Sequence, residues 1–156
     1  MEFKRTPDER FDNLVAYPFQ PHYLQVDDGE GGELRIHYLD EGPADGEVVL
    51  LLHGFGASLQ AWDDWAPALE KNLRVLRIDI PGFGLSGPAV NKDYSDAADV
   101  ARVIALLDQL GVQQVIMAGH SMGGRIAWNL AAAHPERVSQ LVLISPDGFP
   151  DPNAKS

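Results

Sequence analysis

Residues 48–52 read Val-Val-Leu-Leu-Leu and run directly into His53-Gly54. An unbroken apolar run of strand length has no polar face to turn towards water, so it belongs to a strand covered on both sides. Such strands occur in parallel sheets, whose right-handed crossovers lay helices on both faces. The rest of the chain supplies the partners. His22–Val26 and Leu34–Leu39 read as strands around an Asp27-Asp28-Gly29-Glu30-Gly31-Gly32 turn. Leu59–Lys71 has helical spacing, with Pro67 marking a break or a new first turn. Leu73–Ile80 is a strand, and Ser95 caps a helix striped by Val100, Val103, Ile104, Leu107 and Leu110 and stopped by Gly111. A short apolar run, Gln114–Ala118, precedes a helix-like run, Arg125–Ala133, which ends at His134-Pro135. Leu141–Ile144 is the last strand. The pattern predicts an α/β class: one domain over residues 1–156, a doubly wound, mostly parallel sheet of about six strands, and helices on both faces. Ligands of such sheets bind outside the carboxyl ends of the strands, so the loops after His53, Ile80 and Ala118 are the informative ones.

The loop after Ala118 carries Gly119-His120-Ser121-Met122-Gly123, a G-x-S-x-G element between a strand and a helix. Glycines on either side allow a sharp turn that lifts a serine hydroxyl above the sheet edge. There it stands beside a helix N-terminus, where backbone N–H groups and the helix dipole stabilise a developing oxyanion. Ser121 is the candidate nucleophile.

Three motifs in order, His53-Gly54-Phe55-Gly56, Asp79-Ile80-Pro81-Gly82-Phe83-Gly84-Leu85-Ser86 and Gly119-His120-Ser121-Met122-Gly123-Gly124, resemble those of α/β-hydrolases. The resemblance covers nearly the whole chain. It implies that Ser121 is the nucleophile and that the backbone N–H groups of Phe55 and Met122 form the oxyanion hole. Arg5-Thr6-Pro7-Asp8-Glu9-Arg10-Phe11, Tyr17-Pro18-Phe19, His22-Tyr23-Leu24 and His37-Tyr38-Leu39-Asp40-Glu41-Gly42 resemble the opening of haloalkane dehalogenases. That chemistry requires an aspartate at the elbow, because carboxylate attack makes an ester that water can hydrolyse, whereas serine attack leaves a stable ether. Met122 also stands where those dehalogenases carry a halide-binding tryptophan. From His53 onward the chain looks more like serine esterases and carbon–carbon bond hydrolases. The expected activity is hydrolysis of an ester or related carbonyl substrate through an acyl-enzyme.

Family order places an acid and then a histidine after the serine. After Ser121 the acids are Glu136, Asp147 and Asp151, and the only histidine is His134, about three helical turns away. Asp147 fits a Ser-Pro-Asp-Gly turn as well as a catalytic acid. His53 and His120 are read as positioning residues, and His22 and His37 as surface or packing residues. The resemblance implies members of roughly twice this length, with a lid, further strands and the catalytic histidine beyond Ser156. An uncovered Leu141–Ile144 edge invites pairing, so a homo-dimer or larger oligomer is expected there. A non-catalytic half-fold that assembles or binds a partner is the alternative.

A formal net charge of −11 disfavours nucleic acid and anionic membranes as partners and suits a neutral small-molecule substrate. The chain has no cysteine, which removes thiol and zinc–thiolate chemistry. No histidine–carboxylate spacing suggests a metal, and no cofactor is expected. A charged amino-terminus without an apolar leader makes the cytoplasm the expected compartment. Gly82-Phe83-Gly84-Leu85-Ser86-Gly87 matches G-x-G-x-x-G, but a dinucleotide site needs a helix to begin there, and the next one waits until about Ser95. Trp62 and Trp65 read as core or interface residues, with Trp62 also a candidate for the pocket wall.

Overall fold

The structure is a computed structural model and describes residues 4–148 apart from 16, 18, 20 and 29–31. Strands β1 (His22–Asp27) and β2 (Glu33–Glu41) form an antiparallel hairpin. Strands β3 (Glu47–Leu52), β4 (Leu73–Ile78), β5 (Val115–His120) and β6 (Val138–Ile144) follow. The sheet order is β1-β2-β4-β3-β5-β6, with β2 antiparallel to β4 and the last four strands mutually parallel. From β3 the chain crosses outward one way to β4 and then back past β3 to β5. The order therefore reverses at the carboxyl end of β3, where α/β sheets open a crevice.

Both faces of β3 are covered, as its apolar run requires. Leu50 and Leu52 join Leu76, Ile78 and Met117 under the helices α2 (Asp96–Gln109) and α3 (Met122–Ala133). Val49 and Leu51 join Val75 and Ala118 on the opposite face, under Trp62 and Ala66. Ala66 opens the short helix α1 (Ala66–Leu69). On α2, Val100, Val103 and Leu107 of the expected stripe are buried, while Ile104 and Leu110 pack at its margin. The Ser95 hydroxyl accepts the Ala98 N–H at the α2 cap, and Gly111 leaves the helix at φ +69°.

Several boundaries differ from expectation for local reasons. The helix expected over Leu59–Lys71 is instead a 3-10 turn, Leu59–Trp62, and then α1. Pro67 lacks an N–H and would clash with the carbonyl four residues back, so it starts a helix rather than continuing one. β4 stops at Ile78, short of the expected Ile80, because Asp79 turns its carboxylate to the amides of two loops. β6 begins at Val138 and α3 at Met122, each three residues before the position expected. Gly123 and Gly124 are poor helix formers, but close packing on the sheet overrides propensity there. Among the described residues, no helix is long and apolar enough to cross a membrane.

Candidate active site

Ser121 sits between β5 and α3 with φ 51° and ψ −118°, a backbone conformation that a residue with a side chain rarely adopts. Such strain costs on the order of 1–3 kcal/mol and persists only where neighbours over-determine it. Three backbone hydrogen bonds do so here. The Ser121 N–H donates to Ile144 O at 3.1 Å, and its carbonyl accepts from Arg125 N at 3.0 Å and Asp147 N at 3.3 Å. Tight packing closes the turn. A Cβ at Gly119 would fall 2.6 Å from the Gly124 nitrogen, and one at Gly123 would fall 2.5 Å from the His53 carbonyl oxygen.

The loop after β3 comes up to the serine. A Cβ on Gly54 would lie 3.4 Å from the Ser121 Cβ and 2.8 Å from His120 Nδ1, so the loop backbone passes close to both, and a side chain there would require the His120 ring to move. His53 is wholly buried. Its Nδ1–H donates to the Gly54 carbonyl at 2.7 Å, which leaves Nε2 to accept the Ile80 N–H at 2.9 Å. Burial lowers the His53 pKa from its ordinary 6.5. With both nitrogens engaged the ring is a brace, in the positioning role the sequence suggested.

Phe55 and Met122, the expected oxyanion residues, line one cavity together. Among the described residues neither amide N–H donates a hydrogen bond. Phe55 is 79% exposed, and its ring meets Phe83 edge-on at 5.3 Å. A cavity of about 320 Å³ opens between Phe55, Pro81, Phe83, Tyr94, Met122 and Arg125. On the other side His120 lines a cavity of about 160 Å³ with Trp62 and Trp65, whose rings pack edge to face.

The remaining candidates fall elsewhere. Asp147 accepts the Arg125 Nε–H at 2.9 Å, and Arg125 also pairs with Asp96. The Asp147 carboxylate is thus engaged by a guanidinium, while its backbone N–H supports Ser121. His134 caps the far end of α3 and lies 3.6 Å from Glu136. His22 is exposed on β1, and Asp151 lies outside the described residues. The Gly82–Gly87 stretch is a hydrogen-bonded loop, Gly82 N to Gly87 O at 2.9 Å, and α2 starts only at Asp96, so the helix a dinucleotide site needs is not there.

Of the two roles open to His37, surface or packing, the structure has the packing one: it is buried. Its polar pairing was not anticipated, with bonds to Tyr17 Oη at 2.7 Å and Asp79 Oδ2 at 2.8 Å. The strand alternation carried a signal for the burial, since residues two apart share a face and His37 is two before Leu39, which is buried.

Comparison with known proteins agrees with this architecture. The family described as the alpha/beta hydrolase fold matches residues 47–156. A haloalkane dehalogenase of Psychrobacter cryohalolentis is 43% identical over 143 residues, covering 90% of this chain and 47% of that enzyme. Among solved structures, a haloalkane dehalogenase from Paraglaciecola agarilytica superposes with TM-score 0.82 at 28% identity, over 99% of this chain and 53% of that one. A membrane phospholipase A described as a bacterial virulence factor superposes with TM-score 0.78 at 38% identity, over 87% and 42%. The chain spans about half the length of the curated relatives it matches. Similarity to dehalogenases therefore extends well beyond the first forty residues.

Proposed function

The chain belongs to the α/β-hydrolase fold family, and we propose that it carries the nucleophile half of a serine hydrolase acting on an ester or related carbonyl substrate. The observation that supports this most is the strained Ser121 at the strand–helix junction, with a glycine loop closed against it. In this reading Ser121 Oγ attacks the carbonyl carbon, and the oxygen that gains charge accepts hydrogen bonds from the Phe55 and Met122 N–H groups. The tetrahedral intermediate collapses by expelling the alcohol, and water then hydrolyses the acyl-serine. The cavity beside Phe55 and Met122 would take the substrate. The phospholipase A relative is by name an ester hydrolase, and its likeness favours this chemistry.

The general base is proposed to be a histidine outside this chain's own five, from a further segment or a second chain: His37 and His53 are engaged at both ring nitrogens, His134 sits at the far end of α3, His22 lies on the edge strand β1, and His120 is read as a positioning residue. Loss of such a base costs about 10⁴–10⁶ in rate, so activity of the 156-residue chain should be weak. A chromogenic acetate ester tests the reading. An acylation burst that disappears in Ser121→Ala supports it, and equal rates for the two proteins would refute serine catalysis.

We also propose self-association through β6, the strand at one edge of the sheet, where Leu141 and Val142 are 40% and 44% exposed. A strictly monomeric species in sedimentation at tens of micromolar would refute it.

A further inference from the structure

We propose that Tyr17, His37 and Asp79 form a positioning relay through which the amino-terminal segment sets the loop 53–58 that carries the Phe55 N–H. The catalytic consequence rests on the serine-hydrolase reading; the geometry of the relay stands without it. Asp79 follows β4, and its carboxylate is buried. Oδ1 accepts the Leu59 N–H at 2.7 Å, and Oδ2 accepts the Leu85 N–H at 2.8 Å. Each carboxylate oxygen already accepts an amide N–H, and a third donor, on His37 Nδ1, completes the set with the 2.8 Å bond to Oδ2. His37 Nε2 is then an acceptor, and Tyr17 donates its hydroxyl to it at 2.7 Å. Burial raises the Tyr17 phenol pKa above its ordinary value, which keeps that donor protonated. One directed chain runs from Tyr17 through His37 to the carboxylate.

Its far end holds catalytic loops. Residues 53–58 are anchored at one side by the His53 ring and at the other by Leu59 on Asp79. Between those anchors the loop makes a single backbone bond of its own, Ala57 N to Gly54 O at 3.2 Å. The second loop is held by the same residue, through Leu85 and through the Ser86 hydroxyl, which donates to the Asp79 carbonyl at 2.6 Å. Gly84 lets that loop close over the carboxylate, since a Cβ there, at φ +53°, would strike it. Phe83 of this loop supports the Phe55 ring. A cavity of about 230 Å³ beside the relay, lined by Phe11, Tyr17, Ser58, Gln60 and Leu85 among others, leaves the loop room to move once a bond is lost.

The test uses the chain with Asp79→Asn and Tyr17→Phe, and reads the amide resonances of Phe55 and Met122. Asn presents an N–H to one of the two loop amides in place of an acceptor. Both substitutions should shift the Phe55 amide, Asp79→Asn more, and leave the Met122 amide, set by α3, in place. Acylation by the acetate ester should fall about tenfold in Asp79→Asn and about threefold in Tyr17→Phe, in kcat rather than KM, because misplacing a transition-state donor costs rate. A structural role alone would lower the melting temperature and leave the rate of folded protein unchanged. An unmoved Phe55 amide in both folded variants overturns the relay, and if Asp79→Asn does not fold, Tyr17→Phe decides by the same readout. Should Ser121→Ala acylate as fast as the parent, the hydrolase reading fails, and the Phe55 resonance still decides the relay.

Discussion

Replacing Gly123 by alanine tests whether the elbow is held by packing or merely by sequence habit. The added Cβ would lie 2.5 Å from the His53 carbonyl oxygen and 2.6 Å from the Leu52 carbonyl carbon. Non-bonded heavy atoms settle near 3.5 Å, so about 1 Å must be found. Both obstacles are backbone at the end of a strand buried on both faces, and neither can rotate away. The start of α3 has to lift, which stretches the 3.1 Å bond from Ser121 N to Ile144 O beyond hydrogen-bond range. Overpacking costs about 3 kcal/mol at its upper range and the bond about 1, while alanine returns about 1 through helix propensity. The net expectation is about 3 kcal/mol of destabilisation, a large share of a typical domain's margin of about 5–15. Urea unfolding followed by tryptophan fluorescence measures it. Gly56→Ala is the control: its φ is +72° but a Cβ would meet nothing within 4 Å, so only about 1–2 kcal/mol of backbone strain is expected. A Gly123→Ala protein as stable as the parent, or more stable, would refute the close seating of α3 on β3.

Two other sites give independent checks. Arg77 is buried and binds Glu41 through two bonds of 2.8 and 2.9 Å, and also Asp63; Arg77→Met should cost about 1–3 kcal/mol in urea unfolding, because it leaves a partly buried Glu41 carboxylate, whose pKa burial already raises, without its partner. An unchanged midpoint would mean the cluster is solvated. For His53 the folded pKa is lowered, so its contribution to stability is full above the unfolded value of 6.5 and is lost as pH falls below it. Nitrogen NMR of the ring should show one neutral tautomer, protonated at Nδ1, persisting below pH 6.5, and titration at or above that value would contradict its burial between Gly54 and Ile80.

What could be read from the residues depended on how local the cause was. The run Val48–Leu52 declared a strand buried on both faces because its own side chains leave no polar face, and the alternation with α2 and α3 followed. The turn that carries Ser121 was legible for the same reason, since its strand, glycines and helix are contiguous. The break at Pro67 was half visible, but the 3-10 turn at Leu59–Trp62 depends on Asp79, twenty residues on, holding the Leu59 N–H. The relay was illegible by the same logic. Tyr17, His37 and Asp79 stand 20 and 42 residues apart, and no spacing rule joins them. Asp147 shows the converse: a turn explained it locally, and its pairing with Arg125 emerged only when α3 was placed beside the end of β6.

Similarity to a haloalkane dehalogenase, 43% identical over 90% of the chain, makes the elbow residue the deciding atom set, because a fold hosts several chemistries and the site selects one. A carboxylate that displaces halide from carbon becomes an ester, and water can attack its carbonyl to regenerate the nucleophile. A serine oxygen making the same displacement becomes an ether. It has no carbonyl for water to attack, so the serine is consumed. With an ester substrate the proposed chemistry would reverse that outcome, since attack by Ser121 would yield an acyl-serine that retains a carbonyl for water to attack. Incubated with a bromoalkane in excess, the chain should therefore release no more than one bromide per molecule, and Ser121→Ala none. Sustained bromide release by the unmodified chain would show that a residue other than Ser121 is the nucleophile, and would overturn the acyl-enzyme reading at its first step.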